Sequence, residues 1–202
     1  MLSLLKNIIR YRKFVKLANS VGFNTHNPHP IESIAFMTVS AIKLNPKKDY
    51  ILKCNDIALY DSIIFTMFVI RMICISQINN RANAEKFSND YISKVFEYFP
   101  ESKIISNKYD SDFFSERVKY YDSLLADESI PFDERIKNVV KKFGSIISYD
   151  YTGKYVRFNN NTPLMLIDFD KQFIITNTVN SYYNTLPDFF ARLLPDVFKL
   201  YN

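Results

Sequence analysis

Apolar residues recur every three or four positions along most of this chain, and that spacing predicts helices. Within residues 2–20, Leu4, Ile8, Tyr11, Val15 and Ala18 fall on one stripe, and Gly22 is a suitable stop. The stretch 24–30, Asn-Thr-His-Asn-Pro-His-Pro, reads as a loop. Pro30 then suits the first turn of a second helix and Glu32 its positive end, with the helix running to about Leu44 before Asn45-Pro46. From Asp56, a good cap, Ile57 to Ile78 reads as helix with apolar residues all round, the pattern of a buried bundle helix or a membrane span. Its hydropathy is high enough to suggest a span. Asp61 and Arg71, however, leave only nine uncharged residues between them, whereas a span needs about 20. The core reading is therefore the better one.

Three further amphipathic helices follow. Residues 83–99 place Phe87, Tyr91, Val95 and Phe99 four apart, with Pro100 as the stop. Residues 110–127 carry Phe113, Phe114, Arg117, Val118, Tyr121, Leu124 and Leu125 on a stripe, with Asp110 and Asp112 in the first turn. Pro131 opens another, with Phe132, Ile136, Val139, Val140 and Phe143 on one face and Gly144 as its end. Around Thr152-Gly153 the Tyr/Val-rich segment reads as a small hairpin, residues 163–180 mix helix and strand signals, and Leu186 to Leu200 forms a last helix bent near Pro195. No repeat or long linker divides the chain. The fold predicted is mainly α: a single-domain multi-helix bundle over residues 1–202, six to eight helices around a buried central helix at about 57–78, with a small β-hairpin near 148–158.

Composition sharpens this picture. Three glycines in 202 residues leave little for tight hairpin turns and speak against phosphate-binding loops of the P-loop or dinucleotide type. Two cysteines, Cys54 and Cys74, make neither a disulfide framework nor a zinc signature and read as free thiols of a reducing, cytoplasmic compartment. With 18 Phe and 14 Tyr, the core is expected to be aromatic; the same residues would also suit a homo-oligomer surface.

Charge changes the picture most. The net charge is +5, and all of the excess lies in the first 31 residues, where Lys6, Arg10, Arg12, Lys13 and Lys16 stand without an acid. The other 171 residues hold 21 basic and 21 acidic side chains. The basic and apolar residues interleave, unlike the basic start and apolar run of a secretory signal. An acid-free start bearing Arg also has the composition of an organelle transit peptide, but the stretch reads well as a permanent helix.

A basic amphipathic helix on a neutral body points to an acidic protein or an anionic membrane surface as partner, with nucleic acid a weaker fit. The competing reading is that the stripe packs on the bundle and the cations form a solvated face. On the first reading the chain is a non-enzymatic intracellular interaction protein, peripheral at a membrane where lipid is the partner.

Other chemistry is sparse. Asp61 and Arg71, ten residues apart on one helix, stand about 15 Å apart along the axis and cannot pair. Each needs its own partner, with Glu32, Glu116 and Arg117 available; a polar core pocket for a small ligand or substrate is the alternative function. His26, His29 and Glu32 have a loose metal-ligand spacing inside a loop with two prolines, short of a defined zinc site; no metal or cofactor is expected. Lys154-Tyr155-Val156-Arg157-Phe158 interleaves basic and aromatic residues as a single-strand nucleic-acid platform would, but does not match the RNA-recognition consensus.

Overall fold

The computed structural model describes residues 2–44, 56–99, 112–150 and 190–202. Among them are seven α-helices and no strand: α1 (Leu2–Val21), α2 (Pro30–Lys43), α3 (Asp56–Gln77), α4 (Arg81–Tyr98), α5 (Asp112–Leu125), α6 (Phe132–Asp150) and α7 (Leu194–Tyr201). The mainly α expectation holds. The chain divides into two compact units, one formed by Met1–Lys48, Val69–Lys103 and Phe190–Asn202, the other by Asp49–Phe68 and Ile104–Phe189. The continuous helix α3 contributes residues to both.

The first unit is built on α2 against α4. Pro30 opens α2, where a missing N–H costs nothing. His29 caps it: the Ile31 amide donates to His29 Nδ1 (3.4 Å), and Glu32 Oε2 accepts from the His29 amide (3.3 Å), a reciprocal capping box. α4 starts on Asn80, whose side-chain oxygen accepts from the amides of Ala82 and Asn83 at 2.8 and 3.2 Å.

Between the two helices lies an apolar seam of Ile34, Phe36, Val39, Phe87, Tyr91 and Val95, crossed by one buried polar link, Thr38 Oγ1 to the Tyr91 hydroxyl at 2.7 Å. α1 ends at Gly22, whose φ of +72° disfavours any residue with a Cβ, and the Phe23 amide closes the turn onto Ala18 O at 3.0 Å. Phe23 then stacks on Phe36, centroids 4.1 Å apart. α7 is fastened by Tyr201, whose hydroxyl donates to Asp90 Oδ2 at 2.7 Å and whose ring meets Phe87 edge-on.

In the second unit the first part of α3 meets α5 and α6. Phe65 stacks on Phe143 at 3.9 Å and meets Tyr121 edge-on at 5.5 Å, with Phe68 beside Tyr121. Residues 61–70 of α3 are all buried, as a helix apolar all round requires. Among the described residues, no helix is long and apolar enough to cross a membrane.

Two boundaries differ from the sequence reading. α6 continues through Gly144 to Asp150, so residues 148–150 are helical rather than the start of a hairpin; 151–158 lie outside the described residues. Glycine ends a helix through a positive φ, but otherwise only weakens it by about 1 kcal/mol. Among the described glycines the positive φ is at Gly22, while Phe143, one residue before Gly144, is held by its stack on Phe65. Pro195 does not bend a long helix. It sits in the first turn of α7, after a turn in which the Leu193 amide donates to Phe190 O at 2.9 Å. Proline lacks the N–H a helix interior needs, so the helix begins there. The mixed segment 163–180 lies outside the described residues.

Candidate functional site

The basic residues predicted as a binding face are on α1. Arg10, Arg12, Lys13 and Lys16 are all exposed, and among the described residues none is ion-paired. Lys6 belongs to the same helix. A helix turns about 100° per residue, which places Phe14, Leu17 and Ala18 on one side and Ile8 and Ile9 on the other. The first side is docked: Phe14 meets Phe36 edge-on at 5.2 Å, and Ala18 is fully buried. The second side is not. Ile8 is 43% and Ile9 47% exposed; Tyr11, nearly in line with Ala18 but about two turns earlier, is 69% exposed.

The docked face is therefore rotated from the stripe read in the sequence. Ala18 of that stripe is buried and Val15 is half-buried, but Ile8 and Tyr11 are in solvent. The cause is Phe14, which lies off the stripe yet supplies the ring that Phe36 needs. Ile9, also off the stripe, is the apolar residue of this surface that periodicity missed; Arg12 and Lys16 fall between it and Ile8 in azimuth.

The charge pattern of α1 works against its own folding. The helix has no acid in its first turn and no base in its last, so nothing offsets the macrodipole. Lys6/Arg10 and Arg12/Lys16 are i,i+4 pairs, and Arg10/Lys13 and Lys13/Lys16 are i,i+3 pairs. Such like-charge pairs cost roughly 0.2–0.5 kcal/mol each, a repulsion that an anionic partner would relieve.

The second candidate, Asp61 and Arg71, proves to be two separate arrangements. Arg117 of α5 grips Asp61 in a bidentate ion pair, Nε to Oδ1 at 2.7 Å and Nη2 to Oδ2 at 3.0 Å, with the two side chains 2% and 0% exposed. Both carboxylate oxygens are thus occupied by protein. Arg71 Nε donates to Ser88 Oγ of α4 at 2.6 Å. Of the partners considered from sequence, Arg117 serves Asp61, while Glu32 pairs at 3.7 Å with Lys94. The two charges belong to different compact units.

The chain, compared with known proteins, matches no family model, no curated protein and no solved structure.

The histidine loop is put to structural use. His29 and Glu32 cap α2, and His26 is exposed. Among the described residues, no group of three or more His, Cys, Asp or Glu side chains is placed to hold a metal. At the α2–α4 edge, a hydrogen bond from Lys94 to Glu97 raises the lysine pKa, and burial, with Glu32 and Glu97 adding to it, pushes the Tyr98 phenol up to about 12. Cys74 is a buried free thiol whose pKa burial pushes up to about 12, so it remains protonated at neutral pH and is a poor nucleophile or metal ligand. Cys54 and the basic-aromatic run 154–158 lie outside the described residues.

Proposed function

We propose that the protein is an interaction protein that engages an acidic partner, a protein or an anionic membrane surface, through α1. One observation carries the reading: exposed Arg12 and Lys16, with no ion-pair partner among the described residues, lie between exposed Ile8 and Ile9 on the uncovered side of this helix, and Arg10 and Lys13 are exposed farther round it. A merely solvated face would be polar. Here aliphatic side chains remain in water and like charges crowd one another, and both costs fall when an anionic surface covers the helix. The body supplies the anchor, through Phe14 and Phe23 on Phe36. On this reading the protein works in the cytoplasm, where its thiols stay reduced, and needs no catalytic group.

The test is charge reversal. Lys6→Glu, Arg10→Glu, Lys13→Glu and Lys16→Glu together should abolish binding of the full chain both to anionic vesicles and to polyglutamate, with the far-UV circular dichroism of the body retained. Each cation is worth about 1 kcal/mol near an anionic surface, so removing four weakens binding by roughly 10³-fold before the added repulsion is counted. Unchanged binding of the reversed chain to both would sink the reading.

A further inference from the structure

Resting on that reading of α1, we propose that its partner is a lipid surface with acidic headgroups, and that the helix lies in the plane of the interface. Two of its features separate this partner from the others.

The first is the clustering of exposed apolar groups. Among the described residues the large exposed hydrophobics are Ile8, Ile9, Tyr11, Phe132 and Leu200. Three of these fall within four consecutive positions of the most basic segment. Phe132 and Leu200 stand alone, and Phe132 has the Arg135 guanidinium over its ring at 5.5 Å. Phosphates of a nucleic acid would satisfy the cations of α1 but leave Ile8 and Ile9 in water. Hydrocarbon at the headgroup boundary takes both.

The second is their arrangement round the helix. A groove on a protein reads a narrow row at i, i+3, i+4 and i+7. Ile8 and Ile9 are instead about 100° apart, with Arg12 and Lys16 between them. Interleaving of this kind suits a lipid interface. The long methylene stems of Arg and Lys lie along the aliphatic groups while their charged ends reach headgroup phosphates. Tyr11, 69% exposed, stands about 60° from Ile8 at the edge of this surface and is amphipathic in the manner of residues that populate membrane–water interfaces. The docked ring, Phe14 on Phe36, lies roughly 120–140° round the helix from Ile8 and Ile9, so the aliphatic pair points away from that contact.

The experiment uses the full chain with three probes: phosphatidylcholine vesicles, the same vesicles containing phosphatidylserine, and polyglutamate in solution. Three proteins are compared at low and physiological salt: the native chain, Ile8→Gln/Ile9→Gln, and the four-site charge reversal. Glutamine is a good helix former, and both isoleucines are half in solvent, so the double variant keeps the fold.

The native chain should bind the phosphatidylserine vesicles and not the neutral ones. The Ile8→Gln/Ile9→Gln variant should lose about tenfold or more on those vesicles while its binding to polyglutamate is unchanged. Polyglutamate binding without vesicle binding, or equal vesicle binding by native and glutamine variants, overturns the lipid partner and leaves the α1 reading standing. Equal binding to neutral vesicles overturns it as well. Binding to both anionic probes that survives charge reversal removes the reading of α1 itself.

Discussion

Replacing Arg117 with methionine should lower the stability of the protein by about 3–5 kcal/mol, far more than the loss of a surface ion pair. Asp61 is 0% and Arg117 2% exposed, and the guanidinium occupies both carboxylate oxygens. Methionine leaves Asp61 as an uncompensated charge in a core of Ile63, Ile64, Phe65 and Tyr121. The cost is that of stranding the partner, not the net worth of the pair, because desolvating two ions offsets most of their attraction. The double variant Asp61→Leu/Arg117→Met should therefore recover most of what Arg117→Met loses. Urea unfolding followed by circular dichroism measures both. A cost for Arg117→Met near the value for exposed pairs, under about 1 kcal/mol, would show that water reaches Asp61.

Phe36→Ala should cost a similar amount, about 3–5 kcal/mol, for a different reason. Phe36 is fully buried and is the ring on which three others converge: Phe23 stacked at 4.1 Å, Phe14 edge-on at 5.2 Å and Tyr98 edge-on at 6.0 Å. Alanine leaves a cavity that these rings cannot close without leaving their rotamers. Phe14 and Phe23 are also what hold the end of α1, so amide exchange over residues 14–23 should rise with the loss of global stability. Measured by thermal or urea unfolding together with hydrogen exchange, a cost below about 1 kcal/mol, or unchanged protection of 14–23, would mean that α1 is anchored elsewhere.

Much of the helical order was legible because its signals are local. Pro30 and Glu32 announced α2, and the four-residue spacing of Phe87, Tyr91 and Val95 gave the buried face of α4. The misreadings came where a local signal has two meanings. Gly144 suited a helix end, but a glycine stops a helix only by turning to positive φ, and the packing of Phe143 holds α6 in register beyond it. Pro195 suited a bend, yet the first turn of a helix accommodates proline better. His29 and Glu32 were not read as a metal site, but their part in a capping box was missed.

The candidate surface shows the same division. The cations of α1 were readable from charge alone. Which side of the helix is covered was not, because a periodicity of 3.6 states that a face exists and not which neighbour claims it. That depended on Phe14 finding Phe36. Similarly, the sequence showed that Asp61 needed a partner, and only the tertiary fold selects Arg117 over the other candidates.

The most direct measurement of the central claim, that one side of α1 stands uncovered and engages an anionic surface, uses the absence of tryptophan from the chain. Tyr11→Trp places the sole indole next to exposed Ile8, three residues away on the helix. The account predicts solvent-like emission from the free protein. Phosphatidylserine-containing vesicles should shift it to the blue and brominated acyl chains should quench it, with no change in neutral vesicles at physiological salt. Emission already blue in the free protein, or unmoved by anionic vesicles, would contradict it.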